Sequence, residues 1–368
     1  CHVDSRTDGL SWDLGNPAAP PAAFDQNCGT TVLVTPTCEA YHAMKGPMTT
    51  QTLEDIIGHE PLHWRGDRAG IEAFNPAFVG LLGGERQLSA GEMSDFKRFL
   101  ATITLPPNPY RYFDNSLPDR VALPGQYTSG RFQMVGLPLP DGNARNGLNL
   151  FSRSFLDTPF QCASCHTLPT GMAVNGPLLT ALLGISAGGS KMAMGPNAEN
   201  HLGIVSVDGS TNASIKVPQL RTQYRKTGFE LRKPESRAGF GLLHDGSVDS
   251  LSDFFSARAF SVRSDQDVAD LVALMFAFSG SDFGDNNPSL GAEPPTSKDV
   301  PASVGNTLTY SGGTLPLRVA EMIQVAKTGS VDLIVRSGAD ARAYNPSSER
   351  FVDGAGTALS SIEVAALA

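Results

Sequence analysis

Cys162-Ala-Ser-Cys-His166 is the stretch on which the reading of this chain turns. C-x-x-C-H is the attachment signature of c-type haem: two thiols add across two vinyl groups, and the adjacent histidine is delivered to the iron. A zinc half-site and a thioredoxin-like redox pair share part of this pattern. Zinc needs a second ligand pair, and Cys28 and Cys38 are too widely spaced to supply one. A redox pair follows a strand in a βαβ unit, whereas Asn146 to Phe151, upstream of Cys162, reads as a short helix. The motif therefore predicts haem c attached at Cys162 and Cys165, with His166 as proximal ligand.

The chain opens on Cys1-His2, the last two letters of the same signature. Two readings compete for it. Cys1 is either the lipidated first residue of a lipoprotein, or the second cysteine of a haem site whose first lies before the sequence. The segments downstream of each site separate the two. Met48 to Leu53, Leu62-His63 and Ile71 to Phe74 come after His2; Ile215 to Arg221, Leu243-His244 and Leu251 to Phe255 come after His166. Met48 stands 46 positions after its histidine and Ile215 49 after its own. In this alignment His63 is the counterpart of His244. Each unit then ends in a capping signal, Ser89 with Glu92 and Ser264 with Asp267, at the head of a helical apolar stripe. The stripes are Met93, Phe96, Phe99, Leu100 and Ile103, then Val268, Leu271, Val272, Met275 and Phe276. A lipoprotein cysteine predicts no such duplication, so the repeat favours a second haem at Cys1 and His2.

The remaining composition sets the class. A formal charge of -9 argues against a nucleic-acid binder, which needs clustered Lys and Arg. No apolar run approaches the ~18 residues of a membrane span; the best, Val268 to Phe278, is interrupted by Asp270. No signal peptide is evident, so the sequence reads as a mature or trimmed chain, and Cys1-His2 suggests part of something longer. The 38 Gly and 26 Pro predict many loops. Cys28 and Cys38 read as a disulfide, which implies an oxidising compartment. The expected fold is mainly α: two tandem cytochrome c-like haem domains with long loops and a small α/β C-terminal appendage. Residues 1–104 form the first domain, 105–146 a Pro/Gly-rich connector wrapped on the surface, 147–280 the second domain, and 281–368 the appendage. Within the appendage, Leu317 to Lys327 reads as helix and Val331 to Val335 as a buried strand.

Taken together, these segments resemble the bacterial di-haem cytochrome c peroxidase superfamily, which includes the methylamine-utilisation di-haem oxidases. Ile215-Lys-Val-Pro-Gln-Leu-Arg221 and His244-Asp-Gly-Ser247 resemble its second-domain segments; Lys45-Gly-Pro47 and Trp64-Arg-Gly-Asp-Arg68 resemble its first-domain ones. Met44 to Gln51 and His63 to Arg68 are closer to a poorly characterised branch of multihaem c-type cytochromes. The resemblance spans roughly residues 1–280. It implies that Trp64 lies between the haems and that Arg65, Arg68, Arg221 and Arg225 contact propionates. It also implies a peroxide-handling Gln near the position of Phe74 and a catalytic Glu near Glu92, which the capping signal already explains. Both departures weigh against peroxidase chemistry.

A haem that only carries electrons needs a second axial ligand, and an open position admits peroxide instead. For the first haem the candidates are His42, His63, Met44 and Met48. For the second they are His244 and His201, with Met192 and Met194 as outside candidates. The peroxidases place a methionine between positions 257 and 267, where this chain has none, and Met275 reads as core. The expected function is a di-haem c-type cytochrome carrying electrons outside the cytoplasm, in the periplasm or extracellularly. The alternatives are a di-haem peroxidase or oxidase with one open haem, and an electron-relay subunit of a larger multihaem assembly. Expected partners are redox proteins, other multihaem cytochromes among them.

Overall fold

The structure is a computed structural model that describes residues 1–14, 18, 46–172, 194–199, 201, 203–205, 214–226, 241–279, 300–311 and 316–365. The chain divides into two compact units. Unit 1 takes Cys1–Leu105 and Asp119–Lys298, and unit 2 takes Pro106–Pro118 and Asp299–Ala368. The expectation of a mainly α protein built as two tandem cytochrome c-like domains is corrected here. Of the described residues, 28% are helix and 12% strand. The two sequence repeats share unit 1, and most of its backbone is turn and loop, as the glycine and proline content dictates.

The centre of unit 1 is a crossing of two helices, α3 (Ala144–Arg153) and α6 (Asp265–Phe276). Asn143 and Ser264 start them, each accepting a hydrogen bond from the backbone N–H three residues on. Every residue of α6 except Gln266 is buried, where the sequence pattern predicts a one-sided stripe. Two of its acids are bonded: Asp270 accepts from the Asn143 backbone at 2.8 Å and from Gln266 at 2.8 Å, and Asp267 accepts from Arg263 at 2.8 Å. The helices approach closely enough that glycine is required on α3. A Cβ on Gly147 would stand 2.1 Å from the Asp270 carbonyl oxygen, and one on Gly142 would stand 2.2 Å from that of Ala269.

The first repeat has its own small core, in which Leu62, Ile71, Met93 and Leu100 are buried. Met93 and Leu100 come from α2 (Ala90–Leu100), which begins on the expected capping box of Ser89 and Glu92. Phe99 does not join the stripe assigned to it and is 60% exposed. Three short helices, α1 (Ala77–Gly80), α4 (Cys162–Cys165) and α5 (Leu251–Ser256), belong to the same unit. Two antiparallel pairs join distant segments. β1 (Ser11–Trp12) lies against β2 (Met48–Thr49), and β3 (Gly203–Val205) against β4 (Ser214–Lys216). The Pro/Gly-rich stretch does more than cover the surface, since Val121, Leu123 and Leu139 within it are buried.

Unit 2 is a four-stranded antiparallel meander of β5 (Ile334–Ser337), β6 (Asp340–Asn345), β7 (Arg350–Val352) and β8 (Ala358–Leu359). The helix α7 (Leu317–Lys327) packs Ile323 and Ala326 onto Tyr344 and Phe351, and α8 (Ser361–Ala365) comes after β8. The strand expected at Val331 to Val335 forms slightly later and at the sheet edge. Its Ile334 is 55% exposed, so it is not the buried strand the apolar run suggests.

Candidate functional site

The helix α4 is a single turn that carries Cys162 and Cys165, and His166 leaves it with non-helical dihedrals. Both cysteines are free thiols. Burial, reinforced by the negative Asp157, pushes Cys162 up to about 12 and Cys165 up to about 11. They are therefore thiols at neutral pH. Redox-active CxxC pairs show the opposite shift, so the thiol chemistry disfavours that reading. His166 Nδ1 donates to the Gly171 carbonyl at 2.9 Å, and the Pro218 carbonyl also reaches its ring. Burial lowers its pKa, so the imidazole is neutral with Nε2 left to act as ligand. Two thiols and a neutral, pre-oriented imidazole fit a covalently attached haem.

His2 is presented in the same manner. Its Nδ1 donates to the Gln51 carbonyl at 2.9 Å, and burial lowers its pKa too. In the sequence alignment Gln51 is the counterpart of Pro218, so equivalent carbonyls meet the two histidines. The equivalence continues along the chain. The Leu53 N–H donates to the Ser5 carbonyl at 2.7 Å, and the Leu220 N–H to the Thr170 carbonyl at 3.0 Å. Asp55 and its counterpart Thr222 both have positive φ, 50° and 58°.

The repeats are interlocked. Leu62 bridges Arg68, and Leu242 bridges Val248, so each repeat closes a loop of the same length. The Lys216 N–H of the second repeat donates to the Trp64 carbonyl of the first at 2.7 Å. Reciprocally, the Thr49 N–H of the first donates to the His244 carbonyl of the second at 2.7 Å. Thr49 and Lys216 are counterparts, so Trp64 and His244 are counterparts as well. The pairing of His63 with His244 is thereby corrected by one residue. His63 matches Leu243, and both have positive φ, 76° and 68°. Sequence alone favours matching histidine to histidine; the backbone joints and the shared left-handed position, which residue type does not reveal, fix the register.

Trp64 and His244 are both buried and meet edge to face, with ring centroids 6.4 Å apart. The indole N–H donates to the Thr49 carbonyl at 2.8 Å. His63 is partly exposed, its Nδ1 2.7 Å from Asp67, with its ring edge-on to Phe74. Arg68 pairs with Asp67 at 3.1 Å. Arg221 is engaged deep inside the unit: it donates to Asp55 at 2.6 Å and reaches His59 Nε2 at 3.3 Å, with all three residues buried. Arg225 pairs with Glu54. His42, Met44, Met192 and the Cys28–Cys38 disulfide lie outside the described residues. Glu92 is consumed by its cap and by two 2.8 Å bonds from Arg86, which hold its carboxyl well below the usual range.

Sequence reading misses Lys216. It is buried, its Nζ donates to the Pro61 carbonyl at 2.5 Å, and its pKa falls to about 8 through burial and the nearby Arg221. The unfolded chain, at 10.5, then binds more protons than the folded one between pH 8 and 10.5. Stability from this group rises with pH across that window. Lys216→Met is expected to remove the rise, read as urea midpoints at pH 7.5 and 9.5. Equal pH slopes in both proteins would contradict it.

No family model and no curated protein matches the chain. Among solved structures, it is similar to Kuenenia stuttgartiensis hydrazine synthase, in a structure determined under xenon pressure. The match has 14% identity and a TM-score of 0.37, covering 75% of this chain and 79% of that one. At that score the likeness carries no argument.

Proposed function

We propose that the chain is a di-haem c-type cytochrome that passes electrons between redox proteins outside the cytoplasm. The observation that carries the reading is the matched presentation of His166 and His2 to equivalent backbone carbonyls in two interlocked repeats. Cys162 and Cys165 would hold one haem, with His166 as its axial ligand; Cys1 and His2 would hold the other. A haem bound there supplies a one-electron couple whose potential is set by its ligands and burial. The chain's own residues orient both imidazoles, keep them neutral and keep the thiols protonated until they are alkylated. Trp64 and His244 fill the space where the repeats meet. His63, His244 and His42 remain the proposed second ligands, and Arg68 and Arg221 the proposed propionate contacts. Glu92, fixed by Ser89 and Arg86, is poorly placed to serve as a peroxidase acid, which favours the carrier over the enzyme.

The test is covalent haem itself. Expressed with a cytochrome c maturation system, the chain should carry haem that survives denaturing electrophoresis. Cys162→Ser/Cys165→Ser should lose the haem bound at that site. A matured chain with no covalent haem, or an unchanged haem count in the double variant, would sink the reading.

A further inference from the structure

The loop from Thr128 to Leu137 is firmly built, exposed and apolar at its tip, and electron carriage as proposed leaves it unused. The Thr128 N–H donates to the Leu137 carbonyl and the Gly136 N–H to the Thr128 carbonyl, both at 2.8 Å. Thr128 Oγ1 donates to the Met134 carbonyl at 2.5 Å and accepts from the Leu137 N–H at 3.0 Å. Gly130 and Gly136, with φ of 90° and 85°, make the bends. Within this frame Phe132, Met134, Val135 and Leu137 are all exposed, Met134 to 71%. Arg131 anchors the base. Its guanidinium donates to the Ala257 carbonyl at 2.9 Å, reaches those of Ser256 and Val262, and stands 5.0 Å from the centre of the Phe132 ring. Apolar side chains held out in water by a bonded frame are pre-organised for a partner that covers them.

The anchor leads to the haem motif. The stretch 257–263 that receives Arg131 also bonds to the chain just before Cys162. The Ser261 N–H donates to the Leu156 carbonyl at 2.7 Å, and Ser261 Oγ stands 3.4 Å from Thr158 Oγ1. Between those two residues is Asp157, whose charge acts on both Cys162 and Cys165. In the same stretch Phe155 is 62% exposed. Bonds therefore join the loop tip, the stretch 257–263 and Phe155 into one surface beside the thiols. Its charge has the opposite sign to that of the chain. The stretches 128–137, 153–161 and 257–263 hold Arg131, Arg153, Arg258 and Arg263 against a single acid, Asp157, in a chain whose formal charge is -9. Arg263 is 76% exposed and paired with Asp267. Arg153 and Arg258 are exposed and make no bond or ion pair among the described residues. An apolar centre with arginines around it, next to a redox centre, complements a partner that carries carboxylates.

We propose that this surface docks a redox protein whose contact face carries carboxylates around an apolar centre, so that electrons pass through the haem at Cys162 and Cys165. The proposal rests on the haem reading. A chain without covalent haem sinks that reading, whereas a haem-loaded chain with unmoved kinetics sinks this one. The probe is fully reduced flavodoxin, a small acidic protein, mixed in stopped flow with the oxidised, haem-loaded full chain; one electron passes from the flavin hydroquinone to ferric haem. The second-order rate should fall as ionic strength rises. Arg153→Glu/Arg258→Glu should slow it by about tenfold or more at low salt. Met134→Ser/Val135→Ser should slow it too, with the salt dependence kept. Reduction by photoreduced lumiflavin, small and uncharged, should be the same in every variant. In the Cys162→Ser/Cys165→Ser chain the arginine pair should cease to matter. Wild-type flavodoxin rates in both surface variants, a slowing shared by lumiflavin, or an arginine effect that survives loss of that haem would overturn the proposal. So would unmoved flavodoxin kinetics in Met134→Ser/Val135→Ser beside a lost self-association or a lost binding to phosphatidylglycerol vesicles, which would give the surface to a second copy or to lipid.

Discussion

Gly147→Ala is expected to destabilise unit 1 by about 3 kcal/mol or more, the upper end of what overpacking costs. The added methyl has nowhere to go. It would meet the Asp270 carbonyl oxygen at 2.1 Å, its carbon at 2.8 Å and the Leu274 Cβ at 2.9 Å. Two of these atoms are backbone, in a helix buried from Asp267 to Phe276, so no side chain can swing aside. Relief requires α3 and α6 to separate, which opens the best-packed part of the molecule. Gly91 in α2 is the control: its Cβ would meet only Ser89 Oγ, at 4.0 Å. Alanine there should be neutral or stabilising by up to ~1 kcal/mol, since it removes a glycine from a helix. Urea midpoints of the two variants give the comparison. A Gly147→Ala cost below about 1 kcal/mol would mean that the helices are farther apart than described.

The second large effect concerns the buried ion pair. Arg221→Met should cost about 3–5 kcal/mol at neutral pH, because it leaves the Asp55 carboxylate buried without its cation. Arg221 and Asp55 are 3% and 5% exposed, so water does not replace the lost partner. Removing both charges, as Arg221→Met/Asp55→Asn, should recover much of the loss. A double-mutant cycle in urea at pH 7 measures both statements. Equal costs for the single and double variants would show that the pair is not coupled.

Local signals are legible in the sequence, and long-range ones are not. Ser89 with Glu92 and Ser264 with Asp267 mark two helix starts correctly, because a cap is a contact over three residues. The helix Leu317–Lys327 is legible from its apolar spacing. The mainly α fold is an over-reading. A repeat of segments implies repeated structure, but nothing in residue type says whether the copies stand in tandem or interlock. Their joints are backbone hydrogen bonds, Thr49 to His244 and Lys216 to Trp64, which leave no mark on composition. At the site, the thiols and His166 are readable from spacing alone. Lys216 is not, since a buried charge looks like a surface one until its neighbours are known. His201 stands out in the sequence only as one histidine among several; its burial, with Nδ1 unpartnered, is a property of the fold.

The joints also fix an order of events as the chain is made. Asp55 meets Arg221 166 residues later, Pro61 meets Lys216 155 residues later, and Ser11 meets Asp245 234 residues later. At synthesis rates of roughly 5–20 residues per second, the amino-terminal half emerges on the order of 10 s or more before the residues that complete it. During that interval Asp55 and Trp64 have no fixed surroundings. The interlocked design thus leaves the first hundred residues an unfinished half, and makes the arrival of Arg221 and Asp245 the moment at which it closes.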